Sequence, residues 1–119
     1  MQLTTLTEEI NIMLAAEILK SIKSDKRNDI VAWCDETQWH VLNRCMLTTI
    51  TIGGKKVEAV AFEEYGEGIE VKDVIPLLKK IDGEVRLFVG SIDGLYECTR
   101  VNHEINTLTL ECKLIKKYE

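Results

Sequence analysis

The chain predicts an α+β fold: an antiparallel sheet of five to seven strands, with an N-terminal helix and a short second helix packed on one face. Three observations predict it. Ile10, Ile12, Leu14, Ala15, Ile18, Leu19 and Ile22 recur at helical spacing near the N-terminus. Several β-branched runs are joined by Gly-Gly and Asp-Gly pairs, the signature of tight hairpins. A short amphipathic stretch carrying the only proline separates two groups of strands. With 119 residues, 45% hydrophobic and 29% charged, the chain has the make-up of one soluble globular domain.

The first helix is expected from Leu6 to Ser24, with Thr5 and Glu8 forming a capping box. Its apolar stripe is wider than a helix on a sheet requires, so part of it suits burial or a homodimer contact, with Met13 at the rim. The polar run Ser24 to Asp29 reads as a surface loop. Ile30 to Cys34 follows as a buried strand. Asp35 to Gln38 fits a hairpin turn into a strand Trp39 to Leu42, or the cap of a short helix; the β preference of Trp and Val favours the hairpin. Leu47 to Ile52 and Lys55 to Phe62 form the next hairpin around Gly53-Gly54. Its register sets Ile52 against Lys55, Ile50 against Val57, Leu47 against Val60 and Cys45 against Phe62, with a buried base and a projecting tip.

Pro76 argues for a late start to the second helix, with Asp73 as N-cap and Val74, Ile75, Leu78 and Ile81 as the buried stripe. The closing meander then takes its register from its turns. A turn on Asp93-Gly94 sets Val89 against Cys98 and Leu87 against Arg100. A polar turn begins at His103, and a three-residue loop ending in a left-handed Asn106 sets Cys98 against Cys112 and Arg100 against Leu110. The inner face then carries Leu87, Val89, Tyr96, Cys98, Leu108, Leu110, Cys112 and Leu114, with Arg100 as the odd charge among them.

Within residues 70–111, Val71, Asp73, Val74, Ile75, Leu78 and Lys79 are followed by Val85, Leu87 and Val89, then Asp93, Gly94 and Tyr96, then Val101 and Leu108. This order resembles that of small phage and mobile-element proteins, many without an assigned function. The resemblance implies a small α+β fold and such an origin, and it brings no catalytic residue. The chain departs from the pattern at Asp82-Gly83-Glu84, where those proteins usually have Pro-x-Asp.

Formal net charge is −5, from 20 acidic and 15 basic residues. Residues 1–60 hold 8 acids and 7 bases; residues 61–119 hold 12 acids and 8 bases. With no basic stripe, direct nucleic-acid binding is not expected. No apolar run has the length of a membrane span. Glu8 and Glu9 stand where a secretory signal would carry basic residues, which points to the cytoplasm. Four cysteines without a CxxC pair read as reduced core thiols.

No nucleophile elbow, phosphate loop or HExxH motif is present, and neither a cofactor nor a metal is expected. Cys34, His40, Cys45, Cys98, His103 and Cys112 lack the knuckle spacing of structural zinc. The enzymatic alternative is a small enzyme or ligand-binding domain using Cys34 with His40 across the hairpin, or Arg100. The leading expectation is a non-enzymatic module that binds a protein with a basic surface. Its binding residues would be Glu63, Glu64, Tyr65, Glu67 and Glu70 in the acidic loop, with Trp39 as aromatic anchor.

Overall fold

The computed structural model describes residues 13–23, 28–64 and 68–117. Among them, in chain order, are α1 (Ala15–Ser21), β1 (Ile30–Cys34), β2 (Trp39–Val41), β3 (Arg44–Ile52), β4 (Lys55–Glu63), α2 (Val71–Lys80), β5 (Arg86–Ser91), β6 (Gly94–Glu104) and β7 (Thr107–Lys117). All seven strands join one sheet in the order β2-β1-β7-β6-β5-β4-β3. The fold is α+β, and the sheet is mixed rather than antiparallel: β1 runs parallel to β7, and β4 parallel to β5. The reason lies in the connections. A helix between two neighbouring strands returns the chain to its starting end, and α2 does this between β4 and β5.

Local turn chemistry settles the hairpins. Gly53 and Gly54 have φ of 58° and 82°, and β3 pairs with β4 in the expected register, Ile52 with Lys55 through Cys45 with Phe62. Asp35–Gln38 is a hairpin turn, with Asp35 Oδ1 accepting from the Thr37 and Gln38 amides. Two successive amides then tie the β1 side of the sheet to the β4 side. Leu42 N–H donates to Val31 O at 2.8 Å, and Asn43 N–H donates to Glu63 O at 2.8 Å. The sheet therefore curls until β2 and β3, its two edges, are separated by only Leu42 and Asn43, with Leu42 fully buried. The tip of the β3–β4 hairpin keeps exposed residues such as Thr51, Lys55 and Lys56. Its Thr51, Ile52 and Gly53 also share a cavity of about 260 Å³ with Leu95, Ile115 and Lys116, so the tip reaches back toward the β6–β7 end.

Several expectations are corrected. The helix does not run from Leu6 to Ser24: Leu14 is extended (φ −105°, ψ 160°) and bridges Arg86, while Met13 N–H donates to Cys98 O. The sheet captures the chain there, so Met13 packs against the core rather than on a helix rim. Thr5, Glu8, Ile10 and Ile12 lie outside the described residues. The second helix starts at Val71, with Pro76 inside it, because its entry is fixed by tertiary bonds. Val71 N–H donates to Asp29 O, Glu70 bridges Ile30, and Glu70 N–H donates to the Asp73 carboxylate.

The β5–β6 register is two residues off the expectation: Val89 pairs with Tyr96, and the turn residues are Ile92 and Asp93. Gly94 has no left-handed φ. Its reason is close approach, since a Cβ there would sit 2.6 Å from Lys116 O and 2.8 Å from Leu114 Cδ1. Between β6 and β7 the turn is Ile105-Asn106, with Asn106 left-handed as expected (φ 66°) but the loop one residue shorter. His103 is thereby in β6 rather than in the turn. A bulge between Cys98 and Arg100 then restores the Cys98–Cys112 pair while moving Arg100 opposite Glu111 and onto the exposed surface. Arg100 is not an inner-face charge.

Inward residues of the strands, among them Val31, Trp33, Val60, Phe62, Leu87, Val89, Cys98, Leu108 and Leu110, form one core with Ala15 and Ile18 of α1 and Val71, Val74 and Leu78 of α2. Ile75 and Ile81 are partly buried against it, and Leu114 is exposed. No described helix is long and apolar enough to cross a membrane.

Candidate protein-binding surface

Because β1 and β4 run in the direction of their parallel partners, their C-terminal ends meet the β5–β6 turn at one end of the sheet. Side-chain bonds join the three places. Trp33 Nε1–H donates to Glu64 Oε2 at 2.6 Å, and Ser91 Oγ donates to Glu64 Oε1 at 3.2 Å. Gln38 Nε2 donates to the Tyr96 hydroxyl at 3.3 Å, and that hydroxyl donates to the Asp93 carboxylate at 3.1 Å. The Tyr96 ring lies 4.5 Å from that of Trp33.

This end gathers Asp35, Glu36, Glu63, Glu64 and Asp93, together with Arg44 opposite Glu63 and with Lys116 and Lys117 opposite Leu95 and Gly94. Burial acts on Asp35 in the upward direction, but hydrogen bonds from Thr37 and Gln38 outweigh it and hold the carboxyl below its ordinary value. Tyr96 is pushed up by burial, reinforced by its bond to the Asp93 charge. The first effect keeps Asp35 ionised near neutrality, and the second keeps the Tyr96 hydroxyl protonated. Two large apolar side chains stand out among the acids: Trp39, 51% exposed, and Ile92, 81% exposed. A groove of about 310 Å³ is lined by Asp35, Glu36, Thr37, Cys112, Lys113 and Leu114.

The expected binding residues occupy unlike positions. Trp39 is open to solvent. Glu63 is half-buried and lies 3.7 Å from Arg44. Glu64 is turned inward as the acceptor for Trp33 and Ser91, and its carbonyl accepts from Asn43 Nδ2. Glu70 caps α2 and pairs with Lys72 at 3.2 Å. Its bridge to Ile30 sets it toward the start of β1, away from the acidic end. Tyr65 and Glu67 lie outside the described residues. Asp35, Glu36, Asp93 and Ile92 are the members that the sequence reading passed over. Their signal was the turn chemistry itself, which marks exposed tips without saying that two of them meet.

The fold does not assemble the cysteine–histidine pair. Cys34 pairs with Trp39 and His40 with Trp33, so the thiol and the imidazole point to opposite faces. Burial, with Glu111, Asp35 and Cys98 nearby, pushes the Cys34 thiol up, against thiolate formation. His40 Nε2 instead bonds Gln38 Oε1 at 3.0 Å. His103 is buried with both ring nitrogens occupied: Nδ1 accepts from Lys23 N–H and Nε2 donates to Asp29 Oδ2, each at 2.9 Å. That arrangement leaves no nitrogen for proton transfer. Among the described residues, no three His, Cys, Asp or Glu side chains come together as a metal site.

A second ionic feature escaped the sequence reading. Arg86 and Glu97 form a two-bond pair, Nε to Oε2 at 2.7 Å and Nη2 to Oε1 at 2.6 Å, with the guanidinium 5.4 Å from the Phe88 ring centre. The bond to Glu97 raises the Arg86 pKa further above its ordinary value. The pair is sheltered on the sheet face opposite the core and belongs to the scaffold. No protein-family model, no curated protein and no solved structure matches the chain.

Proposed function

We propose that the chain is a non-enzymatic protein-binding module of phage or mobile-element type, which takes a basic protein surface at its acidic, Trp39-bearing end. In this reading both helices cover one face of the sheet and the turn-bearing end is left for the partner, met in the cytoplasm. A target whose basic surface otherwise holds nucleic acid, such as a host nucleic-acid-handling or defence protein, has the complementary charge. The observation that carries the reading is the junction of the Asp35–Gln38 turn with the Asp93 turn through Tyr96, each hairpin leaving one large apolar side chain exposed, Trp39 and Ile92. A Lys or Arg from the partner finds carboxylates and an indole face together, and charge complementarity speeds and orients the encounter.

The test is affinity capture from host lysate at low and at high salt, using wild type beside a Glu36→Gln/Trp39→Ala/Asp93→Asn variant. The expected result is a stoichiometric basic partner held at low salt, released at high salt and lost by the variant. The same partners on both proteins would refute the placement of the surface.

A further inference from the structure

Several stretches of strand edge have no strand neighbour among the described residues, and two of them, on β7 and β3, differ in chemistry. β7 is unpaired on its β1 side beyond Glu111, where Lys113, Lys116 and Lys117 are exposed. Lysines are a usual protection of an edge against adding another strand. β3 is the terminal strand, and its nine residues, RCMLTTITI, contain one charge, Arg44, and neither Pro nor Gly. Leu47 is 47% exposed on that edge.

We propose that β3 is a self-association edge, on which a second copy of this chain adds its own β3 antiparallel about a two-fold axis at Thr48. Charge decides the occupant. In this register Met46 faces Ile50 of the second copy, Leu47 faces Thr49, and Arg44 faces Ile52, so no like charges meet. The two Leu47 side chains become diagonal neighbours and shield one another. Self-pairing of the β7 edge would instead set Lys113 against Lys116 and oppose itself. An isologous two-fold contact of this kind closes on itself and stops at the dimer. It joins two sheets of seven strands into one and leaves the acidic end of each copy free.

The experiment is light scattering behind size exclusion, with sedimentation equilibrium, on wild type and Thr48→Lys. Wild type is expected to be a dimer at high micromolar concentration. Thr48→Lys sets two ammonium groups against each other and is expected to raise the dissociation constant on the order of a hundredfold. Unchanged circular dichroism and melting temperature would show that the variant still folds. A Thr48→Cys variant should form an intermolecular disulfide on mild oxidation, because the two residues are directly opposed. A wild-type monomer throughout would overturn the proposal. So would a dimer indifferent to Thr48→Lys, which would place self-association elsewhere, such as the N-terminal helix.

Discussion

Removing the carboxylate of Glu97 tests how the sheet holds a charge on its non-core face. Glu97 is 1% exposed and the Arg86 side chain 28% exposed, so the two ends of this pair are unequal. Breaking a buried pair from one side costs about 3–5 kcal/mol, because the remaining charge is desolvated without compensation. Glu97→Leu leaves Arg86, which keeps some water and the Phe88 ring, so the low end applies, about 3 kcal/mol. Arg86→Met leaves the more enclosed carboxylate and should cost more, about 4–5 kcal/mol. The double variant removes both charges and is expected within about 1 kcal/mol of wild type. With an m-value of about 1.5 kcal/mol/M, Glu97→Leu lowers the urea midpoint by about 2 M, read by tryptophan fluorescence. A loss below about 1 kcal/mol for Glu97→Leu, or single effects that add within about 0.5 kcal/mol, would refute this account.

Gly94→Ala should cost about 1–3 kcal/mol, because its Cβ meets the fixed Lys116 carbonyl at 2.6 Å. Differential scanning calorimetry should show a melting temperature lower by roughly 4–12 °C, and an unchanged one would mean the β6–β7 ladder yields there. Burial pushes the Cys45 thiol up to about 12. Above about pH 8.5 the unfolded chain loses that proton while the folded chain keeps it, so stability falls by about 1.4 kcal/mol per pH unit from this group. Cys45→Ala should flatten the alkaline limb of a stability–pH curve, and native Cys45 should resist alkylation at pH 8.

What was legible in the sequence was whatever a few neighbouring residues decide. Two left-handed glycines at 53 and 54 fix a two-residue turn, and the whole β3–β4 register follows from it. Asp35 organises its own turn by accepting from Thr37 and Gln38. Misreadings arose where a residue serves a distant contact. Gly94 looks like a turn glycine but exists for the approach of Lys116. Pro76 argues for a later helix start than Asp29 and Ile30 impose. Two offsetting irregularities in β6 and β7, a shortened loop and a bulge, kept Cys98 opposite Cys112 while displacing Arg100. The parallel pairs have no local signature at all. Of the proposed surface, Trp39 and Glu63 were visible, but the inward turn of the neighbouring Glu64 depends on Trp33 and Ser91, far away in sequence.

The position of β7 between β1 and β6 dictates an order of assembly. As the chain leaves the ribosome, the β1–β2 hairpin emerges early, yet the strand that anchors it begins only at Thr107. β3, β4, β5 and β6 can pair progressively during synthesis, while Val31 and Trp33 wait with their apolar sides uncovered. Completion of the sheet is therefore a late event, governed by a long-range pairing that closes slowly. A nascent chain stopped before β7 should be a target for chaperones, which would hold the hairpin until its neighbour arrives.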